Sequence, residues 1–463
     1  MIFTDWIFFI FFLITFSIYW TISDNRWRKL WLLACSVVFY AAWDWRFLSL
    51  VLLVIVNTYA TTLLVYRFQT QISRQRVLTL GIVISLSVLG VFKYYNFFVD
   101  SLSQIAPVKL AVRQILLPIG ISFYIFHSLS YMIDTYRRKI VPTRSFMDVT
   151  LYILFFPQLV AGPIVRATDL LPQMHSARSF AAIDFKFFLT LFLIGYFKKA
   201  VISDNVSPLV DAFFGAPGNF GAGDATLAVV LYATQIYCDF SGYTDMAIAT
   251  AGMLGYQLRP NFNRPYLASN LVEFWRRWHM SLSSWLRDYL YIPLGGNRGG
   301  ELYRARNVMI TMLLGGLWHG ASWNFVVWGG LHGIGLVICH AWQRVQERYR
   351  PGHKPHYSVT GNVLTFIFVC FAWIFFRSPD FTNAVAVIGR FQVLALPTLV
   401  AWQYAMLLGT ALLATHIAFY RFELSALLAR LNDFVFAFAF AAATASILRF
   451  VNVAVRPFIY YQF

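Results

Sequence analysis

Three histidines in uncommon surroundings are the side chains of this sequence best suited to chemistry. His319 lies in the glycine-rich segment 315–320 (GGLWHG), inside residues 307–343, which contain no Lys, Arg, Asp or Glu. The glycines would let a helix or a substrate approach the backbone closely, and Trp318 could form one wall. A neutral imidazole in such a dry site can act as a general base. The alternative is a histidine that only joins two helices by a hydrogen bond.

His279 and His332 are the second and third histidines of this kind. His279 follows Arg276 and Arg277, whose side chains could hold anionic groups such as phosphates. An interfacial helix rich in aromatic and basic residues would explain the same segment without any chemistry. His332 lies in the segment 329–333 (GGLHG), and we interpret it as a structural residue.

Two acidic residues, Asp239 and Asp245, complete the candidates. Their spacing would place them on different faces of one helix, and the Ser-Gly-Tyr-Thr sequence between them predicts a broken helix. Paired with nearby arginines they would be structural, as we also expect for the isolated His127 and His416. The sequence has no His-x-x-x-His, Cys-x-x-Cys or P-loop pattern, and its four cysteines stand alone. We therefore expect no metal site and no bound cofactor.

Helices that cross a membrane must position these side chains. Of the 463 residues, 59% are apolar and 12% are charged, about half the charged share of soluble proteins. This composition excludes soluble, disordered and disulfide-scaffold classes. A span needs about 20 mainly apolar residues, and the charge-free stretches, beginning with 6–23, predict about 11 spans in an all-α polytopic protein. The blocks 225–238 and 246–258 are of moderate length, whereas 307–343 and 391–420 could each hold more than one pass.

The charge distribution predicts an orientation in the membrane. The formal net charge is +17, and basic loops at 26–29, 67–76 and 137–144 alternate with weakly charged ones. Basic loops stay in the cytoplasm, so we predict that the N-terminus lies outside the cytoplasm. The positive charge then reflects topology, and we expect membrane lipid rather than nucleic acid as the surrounding partner.

One segment departs from the pattern of spans and short loops. Residues 257–306 interleave arginines with Trp, Tyr and Phe, which makes them too polar to span and too aromatic for a plain loop. The stretch Asn270–Trp285 is predicted to form one amphipathic helix, and Pro293 followed by glycines breaks the chain after it. Such a segment lies in the interface or lines a cavity. No domain boundary or repeat is visible, so residues 1–463 are predicted to form a single membrane domain.

Several motifs resemble those of the membrane-bound O-acyltransferase family. They are 261–266 (NFNRPY), 273–283 (EFWRRWHMSLS), 285–297 (WLRDYLYIPLGGN), 239–245 (DFSGYTD), 318–320 (WHG) and 157–164 (PQLVAGPI). Matching motifs extend from about residue 116 to 333 and are specific in combination. Within the family, 285–297 is most similar to the bacterial alginate O-acetyltransferase branch, and the branch that transfers D-alanine to teichoic acid is close.

The resemblance implies a fold, a reaction and a location, the bacterial inner membrane, which makes the predicted N-terminus periplasmic. The fold is a ring of tilted helices with re-entrant or interfacial helices around a thin centre, with a funnel from each side. His319 corresponds to the catalytic histidine of the family and His279 to its second polar active-site residue. The remaining candidates for donor binding or for lining the tunnel are Arg276, Arg277, Trp318, Asp239, Asp245, Asn261 and His332.

The implied donor is a cytoplasmic thioester, either acetyl-CoA or an acyl carrier, which is a substrate rather than a bound cofactor. The implied acceptor is a hydroxyl group on a periplasmic acetyltransferase partner of the SGNH type, which passes the acetyl group to an alginate-like exported polysaccharide. Transfer of D-alanine or another acyl group to a cell-envelope polymer is an alternative. A transporter or channel would use the same intramembrane polar groups, although no inverted repeat is visible. A scaffold for a polysaccharide synthase is the third alternative.

Overall fold

The protein is helical throughout the part of the chain that the structure describes. The structure is a computed structural model that describes residues 1–105, 113, 115–159, 162–349, 358–391, 409, 424–451 and 458–459, and no β-strand occurs in these ranges. In chain order the helices are α1 (Trp6–Thr21), α2 (Asn25–Asp44), α3 (Leu48–Arg67), α4 (Gln71–Leu89), α5 (Tyr95–Ile105), α6 (Ile121–Tyr136), α7 (Phe146–Leu154), α8 (Phe156–Leu159), α9 (Ala167–His175), α10 (Phe185–Tyr196), α11 (Asp204–Gly215), α12 (Ala222–Met253), α13 (Leu271–Arg277), α14 (Met280–Leu286), α15 (Glu301–His319), α16 (Trp323–Tyr349), α17 (Val359–Arg377), α18 (Phe381–Arg390), α19 (Leu424–Leu428) and α20 (Asp433–Leu448).

Two compact units make up the chain. The first comprises Met1–Phe192 and Tyr243–Arg259, and the second comprises Leu193–Gly242 and Pro260–Phe463. The histidines singled out above for chemistry all lie in the second unit. The single membrane domain over residues 1–463 stays a prediction.

Polar side chains join the apolar helices of the first unit. Asn57 on α3 donates from Nδ2 to the carbonyl oxygen of Gly81 on α4 at 2.8 Å. Lys29 on α2 pairs with Asp148 on α7, with 2.6 Å between Nζ and Oδ1. Apolar helices gain little from the hydrophobic effect in lipid, so hydrogen bonds and close packing of this kind hold them together.

Four helical stretches among the described residues are long and apolar enough to cross a membrane. They are Asn25–Arg67, Gln71–Ile105, Trp323–Tyr349 and Val359–Arg377, and Trp6–Thr21 and Asp433–Leu448 are shorter apolar helices. The all-α polytopic fold is thereby confirmed. The total of about 11 spans stays a prediction, since most of the stretch 391–420, together with His416, lies outside the described residues.

The helix break predicted between Asp239 and Asp245 is wrong. The blocks 225–238 and 246–258 belong largely to one helix, α12, which continues through Gly242. A Cβ atom at Gly242 would lie only 2.6 Å from the carbonyl oxygen of Gly195. The glycine therefore serves the close approach of another backbone segment and does not end the helix.

The single amphipathic helix predicted over Asn270–Trp285 is also wrong. The stretch forms two short helices, α13 and α14, separated by Trp278 and His279. His279 has a φ angle of 42°, in the left-handed region that non-glycine residues seldom adopt. The chain therefore turns sharply at one of the residues singled out for chemistry.

The long uncharged stretch 307–343 forms two helices, the later part of α15 and most of α16. The two helices touch through glycines. A Cβ atom at Gly316 would clash with the carbonyl oxygen of Phe325, and one at Gly329 would clash with the carbonyl oxygen of Met312. Small residues thus allow the backbones to approach closely and fix how the end of α15 lies beside α16.

Candidate active site

Asn261 holds the turn at His279 in place. Its backbone oxygen accepts a hydrogen bond from the N–H of Met280 at 2.9 Å. Its side-chain oxygen, Oδ1, accepts from the N–H and the hydroxyl of Ser281, at 3.0 Å and 2.9 Å. A left-handed residue other than glycine costs about 1–2 kcal/mol, and these hydrogen bonds offset that cost. Nδ1 of His279 lies 3.2 Å from the same Oδ1 atom.

His279 and His319 lie next to each other in the second unit. Their ring centroids are 6.4 Å apart, and both rings are buried. His319 is the last residue of α15, and the following Gly320 has no room for a side chain because a Cβ atom there would clash with the ring of Phe325. The structure therefore brings together the two histidines to which the resemblance assigns the chemistry.

Aromatic rings surround the two histidines. Trp318 and Trp328 each lie 5.0 Å from the His319 ring, and Phe376 lies 5.3 Å from it. Phe240 meets His279 edge-on at 4.7 Å between centroids. An enclosure of this kind excludes water, which strengthens electrostatic interactions inside it.

His332 lies one aromatic layer away from His319. Its Nδ1 atom accepts a hydrogen bond from Nε1 of Trp275 at 3.3 Å. Its ring lies 4.8 Å from that of Trp328, which also contacts His319. His332 therefore packs against the wall of the site through Trp328, and its structural interpretation stays a prediction.

Arg276 and Arg277 have different surroundings. The side chain of Arg277 forms an ion pair with Glu273, 2.5 Å between Nη2 and Oε1, and Glu273 also accepts from the N–H of Ser269 at 2.7 Å. Arg276 is exposed. Of the two arginines, Arg276 is thus better placed to bind an anionic group from outside.

Asp239 takes part in a buried ion cluster with a lysine rather than with an arginine. Its Oδ1 atom lies 2.6 Å from Nζ of Lys199, which also contacts Oδ1 of Asp204 at 2.7 Å. Its Oδ2 atom accepts from the N–H of Ile459 at 2.8 Å. The arginine partners expected for Asp239 are therefore replaced by Lys199. Asp245 belongs to the first unit and is half-buried.

Sequence reasoning missed Trp328, Phe376 and Phe240. Trp328 directly precedes Gly329, the residue that lets α16 approach α15. This neighbouring glycine is the only feature of the sequence that could have pointed to Trp328. Phe240 lies inside the DFSGYTD motif, of which only the acidic residues Asp239 and Asp245 are candidates on sequence grounds. Within the described ranges, no group of three or more His, Cys, Asp or Glu side chains could hold a metal ion.

Comparisons with known proteins agree with the fold. The profile of the membrane-bound O-acyltransferase family matches residues 20–378. A protein of Azotobacter vinelandii named "Probable alginate O-acetylase" is 44% identical over 388 residues, which cover 82% of this chain and 76% of that protein. The peptidoglycan O-acetyltransferase of Helicobacter pylori is 36% identical over 387 residues, covering 78% and 73%.

A more distant relative comes from the D-alanyl branch. The teichoic acid D-alanyltransferase of Streptococcus thermophilus is 26% identical over 272 residues, or 55% of this chain and 65% of that protein. The resemblance to the family, and within it to the alginate O-acetyltransferase branch, is thus confirmed. This chain is a membrane acyltransferase and belongs to the membrane-bound O-acyltransferase family.

Proposed function

We propose that this protein moves an acetyl group from a cytoplasmic thioester across the inner membrane, for O-acetylation of an exported polysaccharide. The observation that carries the proposal is the buried pair of His279 and His319, with ring centroids 6.4 Å apart inside an aromatic enclosure. Relatives named for O-acetylation of alginate and of peptidoglycan support the same acyl group and the same class of acceptor.

The reaction is a transfer of the acyl group from sulfur to oxygen. The oxygen of the acceptor hydroxyl attacks the thioester carbonyl carbon, a C–O bond forms, and His319 accepts the proton. The electron pair of the C=O bond moves onto the carbonyl oxygen, which becomes an oxyanion. When the pair returns, the C–S bond breaks and the leaving thiolate takes the proton from His319. His279 orients the hydroxyl or stabilises the oxyanion.

The donor is acetyl-CoA or an acyl carrier, bound from the cytoplasmic side. Both carry phosphate groups, and the exposed Arg276 is suited to hold one of them. The phosphates stay out of hydrocarbon because burial of their charge would be costly. Only the small, nearly neutral acetyl group then crosses the membrane.

The acceptor is a hydroxyl group of a periplasmic partner, an acetyltransferase of the SGNH type, which passes the acetyl group to the polymer. This arrangement needs a periplasmic N-terminus. Single cysteines at positions 2 and 72, introduced into a cysteine-free background, test the orientation. The cysteine at position 2 should react with an impermeant thiol reagent from outside, and the one at position 72 should not. The reverse pattern would defeat transfer in the proposed direction.

Transfer of labelled acetyl groups in proteoliposomes tests the function. The protein is reconstituted with its partner, and acetyl-CoA and an acetylated carrier protein are supplied separately on the cytoplasmic side. His319→Ala should insert and fold but transfer no acetyl group, whereas His340→Ala, a matched change on α16, should transfer at the wild-type rate. Normal transfer by His319→Ala would overturn the role of His319.

Transfer of D-alanine is the second candidate, and the relative from Streptococcus thermophilus is the observation that favours it. A D-alanyl carrier protein offered to the same proteoliposomes distinguishes the two. If the protein transferred D-alanine and not acetyl, the donor would be a D-alanyl carrier rather than the proposed acetyl thioester. Ion or solute flux without acyl transfer would instead indicate a transporter.

A further inference from the structure

The proposed reaction creates a negative charge that some group near His319 must meet. As the hydroxyl attacks, charge develops on the carbonyl oxygen of the thioester. Enzymes lower the free energy of this state with a hydrogen-bond donor that is already in position before the reaction. The described side chains with a polar atom beside the His319 ring include His279, Trp318 and Trp328.

The ring nitrogen of His279 that could meet a substrate, Nε2, is a hydrogen-bond acceptor. The backbone N–H of Ser281 can only donate, so the side-chain atom of Asn261 that it meets at 3.0 Å is the oxygen Oδ1. Nδ1 of His279 lies 3.2 Å from the same oxygen, which can only accept, so Nδ1 carries the hydrogen. Nε2 of a neutral His279 therefore has a lone pair and no hydrogen to donate.

The surroundings of His279 disfavour a doubly protonated ring. The residue has no exposed surface, and the ring of Phe240 meets it edge-on at 4.7 Å. Burial of a positive charge in such a place is costly. Nε2 of His279 is also buried without a hydrogen-bond partner among the described residues. This atom is therefore suited to accept a hydrogen bond from a substrate hydroxyl.

Trp328 provides a donor of the required kind. Its indole N–H is buried and has no hydrogen-bond partner in the part of the chain that the structure describes. A buried donor without an acceptor is unfavourable, so such groups usually meet a ligand or a water molecule. The Trp328 ring stands nearly perpendicular to the ring of His319, with 5.0 Å between centroids.

Packing on several sides fixes the Trp328 ring before any substrate binds. Trp373 stacks against it at 5.8 Å with an angle of 17° between the planes, and His332 lies 4.8 Å away. The next residue, Gly329, lies against the carbonyl oxygen of Met312 on α15. The indole N–H is therefore held in one place, as electrostatic stabilisation of a transition state requires.

We infer that the indole N–H of Trp328 donates a hydrogen bond to the thioester carbonyl oxygen as it becomes negative, an assignment that rests on the proposed function. His279 accepts from the acceptor hydroxyl at Nε2 and orients it, and His319 takes the proton during attack. No proton leaves Trp328 at any step. The hydrogen bond strengthens when the oxyanion forms and weakens when the C–S bond breaks.

Trp328→Phe tests the assignment because it keeps an aromatic ring and removes the N–H. In proteoliposomes with the partner and saturating donor, kcat should fall about 100-fold, as on loss of one oxyanion donor. The KM for the donor should stay within about 3-fold, since the lost bond acts mainly in the transition state. The pH profile of kcat should keep its shape, because an indole does not titrate in this range. Trp31→Phe in the first unit also removes an indole N–H, one that donates to the carbonyl oxygen of Thr15 at 3.0 Å, and it should leave kcat within about 3-fold.

A second substitution keeps the test decisive if Trp328→Phe folds poorly. Replacement of Trp328 by 3-benzothienylalanine preserves ring size and stacking and removes only the N–H, so it should give the same fall in kcat at an unchanged melting temperature. Wild-type kcat in this folded variant, or an equal loss in Trp31→Phe, would overturn the assignment and leave the function intact. Wild-type protein that transfers acetyl from neither donor would overturn the proposed function, and the assignment with it.

Discussion

His127 in the first unit and His279 in the second are both fully buried, yet they are held in different ways. Nε2 of His127 accepts from the backbone N–H of Val165 at 3.1 Å, and the hydroxyl of Tyr152 donates to the His127 carbonyl oxygen at 3.3 Å. These bonds tie α6 to the backbone at Val165 and to a side chain of α7. His279 instead donates to the side chain of Asn261 and lies beside a second imidazole.

The difference shows which property distinguishes a structural histidine from a candidate for chemistry. Each ring keeps one nitrogen without a hydrogen-bond partner among the described residues, Nδ1 in His127 and Nε2 in His279. An unpartnered nitrogen is therefore not sufficient. The companion ring of His319, 6.4 Å away, is the feature that His127 lacks, and the proposed reaction uses it: one group orients the nucleophile while the other takes its proton.

The largest expected effect compares the two histidines directly. His279→Ala should lower acetyl transfer by about 1,000-fold or more, because it removes the group that we propose to orient the reacting hydroxyl. His127→Ala leaves the buried N–H of Val165 without its acceptor and should cost about 1–3 kcal/mol of stability. Its activity per folded molecule should stay near the wild-type value. Transfer rates normalised to the amount of folded protein measure the activity of the two variants. Equal losses of activity in His279→Ala and His127→Ala would show that the two histidines do not differ in role.

The second prediction extends the comparison to buried charge. Lys199 has almost no exposed surface and joins two carboxylates, Asp204 and Asp239, whereas Lys29 in the first unit joins the single carboxylate of Asp148. Lys199→Met removes the buried cation that joins both carboxylates and should cost about 3–5 kcal/mol.

Lys29→Met is the matched control in the first unit. It should cost less, because the half-exposed His175 also contacts Asp148, at 3.2 Å, and still provides the carboxylate with a polar partner. Thermal unfolding in detergent, followed by tryptophan fluorescence, compares the two variants. Adding Asp204→Asn and Asp239→Asn to Lys199→Met should recover part of the loss. Equal melting temperatures for the two lysine variants would contradict the prediction.

The third prediction concerns the hydrogen bond to Asn261, which distinguishes His279 from His127. Asn261→Ala removes the oxygen that fixes the tautomer of His279, and kcat should fall about 10-fold to 100-fold, equivalent to one hydrogen bond of about 1–3 kcal/mol. Asn261→Asp keeps an acceptor and should recover part of the rate. Ser281→Ala removes only a neighbouring donor and should change kcat little. If Asn261→Ala kept the wild-type rate, His279 would not depend on this bond for its orientation.

Much of the helical framework could be predicted from charge-free stretches, because long apolar segments in lipid must satisfy their backbone groups internally. The stretch 6–23 corresponds to α1, and 47–66 corresponds to α3. The motif residues near His279 and His319 could be singled out because polar side chains inside a membrane protein are costly without a purpose. Their spatial proximity could be expected only from the resemblance to the family.

The errors share one physical cause, which is a contact between residues that lie apart in the sequence. The helix ends before His279 because Asn261, in a preceding loop, satisfies the N–H groups at the start of α14. Conversely, α12 continues through Gly242 because the missing side chain makes room for the carbonyl oxygen of Gly195. Local propensity predicts neither outcome, since both depend on the partner.

The smallest expected effect distinguishes two neighbouring arginines within the second unit. Arg276→Ala should raise the KM for acetyl-CoA a few-fold and leave kcat unchanged, because an exposed contact to a phosphate contributes about 1 kcal/mol or less to binding. The rise should shrink at high salt, which screens such contacts. Arg276→Lys should recover most of the affinity. Arg277→Ala breaks the ion pair with Glu273 and should lower the melting temperature with the KM unchanged. If the KM rose in Arg277→Ala and not in Arg276→Ala, Arg277 would be the arginine that contacts the donor. If Arg276→Ala lowered kcat and left the KM unchanged, Arg276 would take part in the chemistry rather than in donor binding.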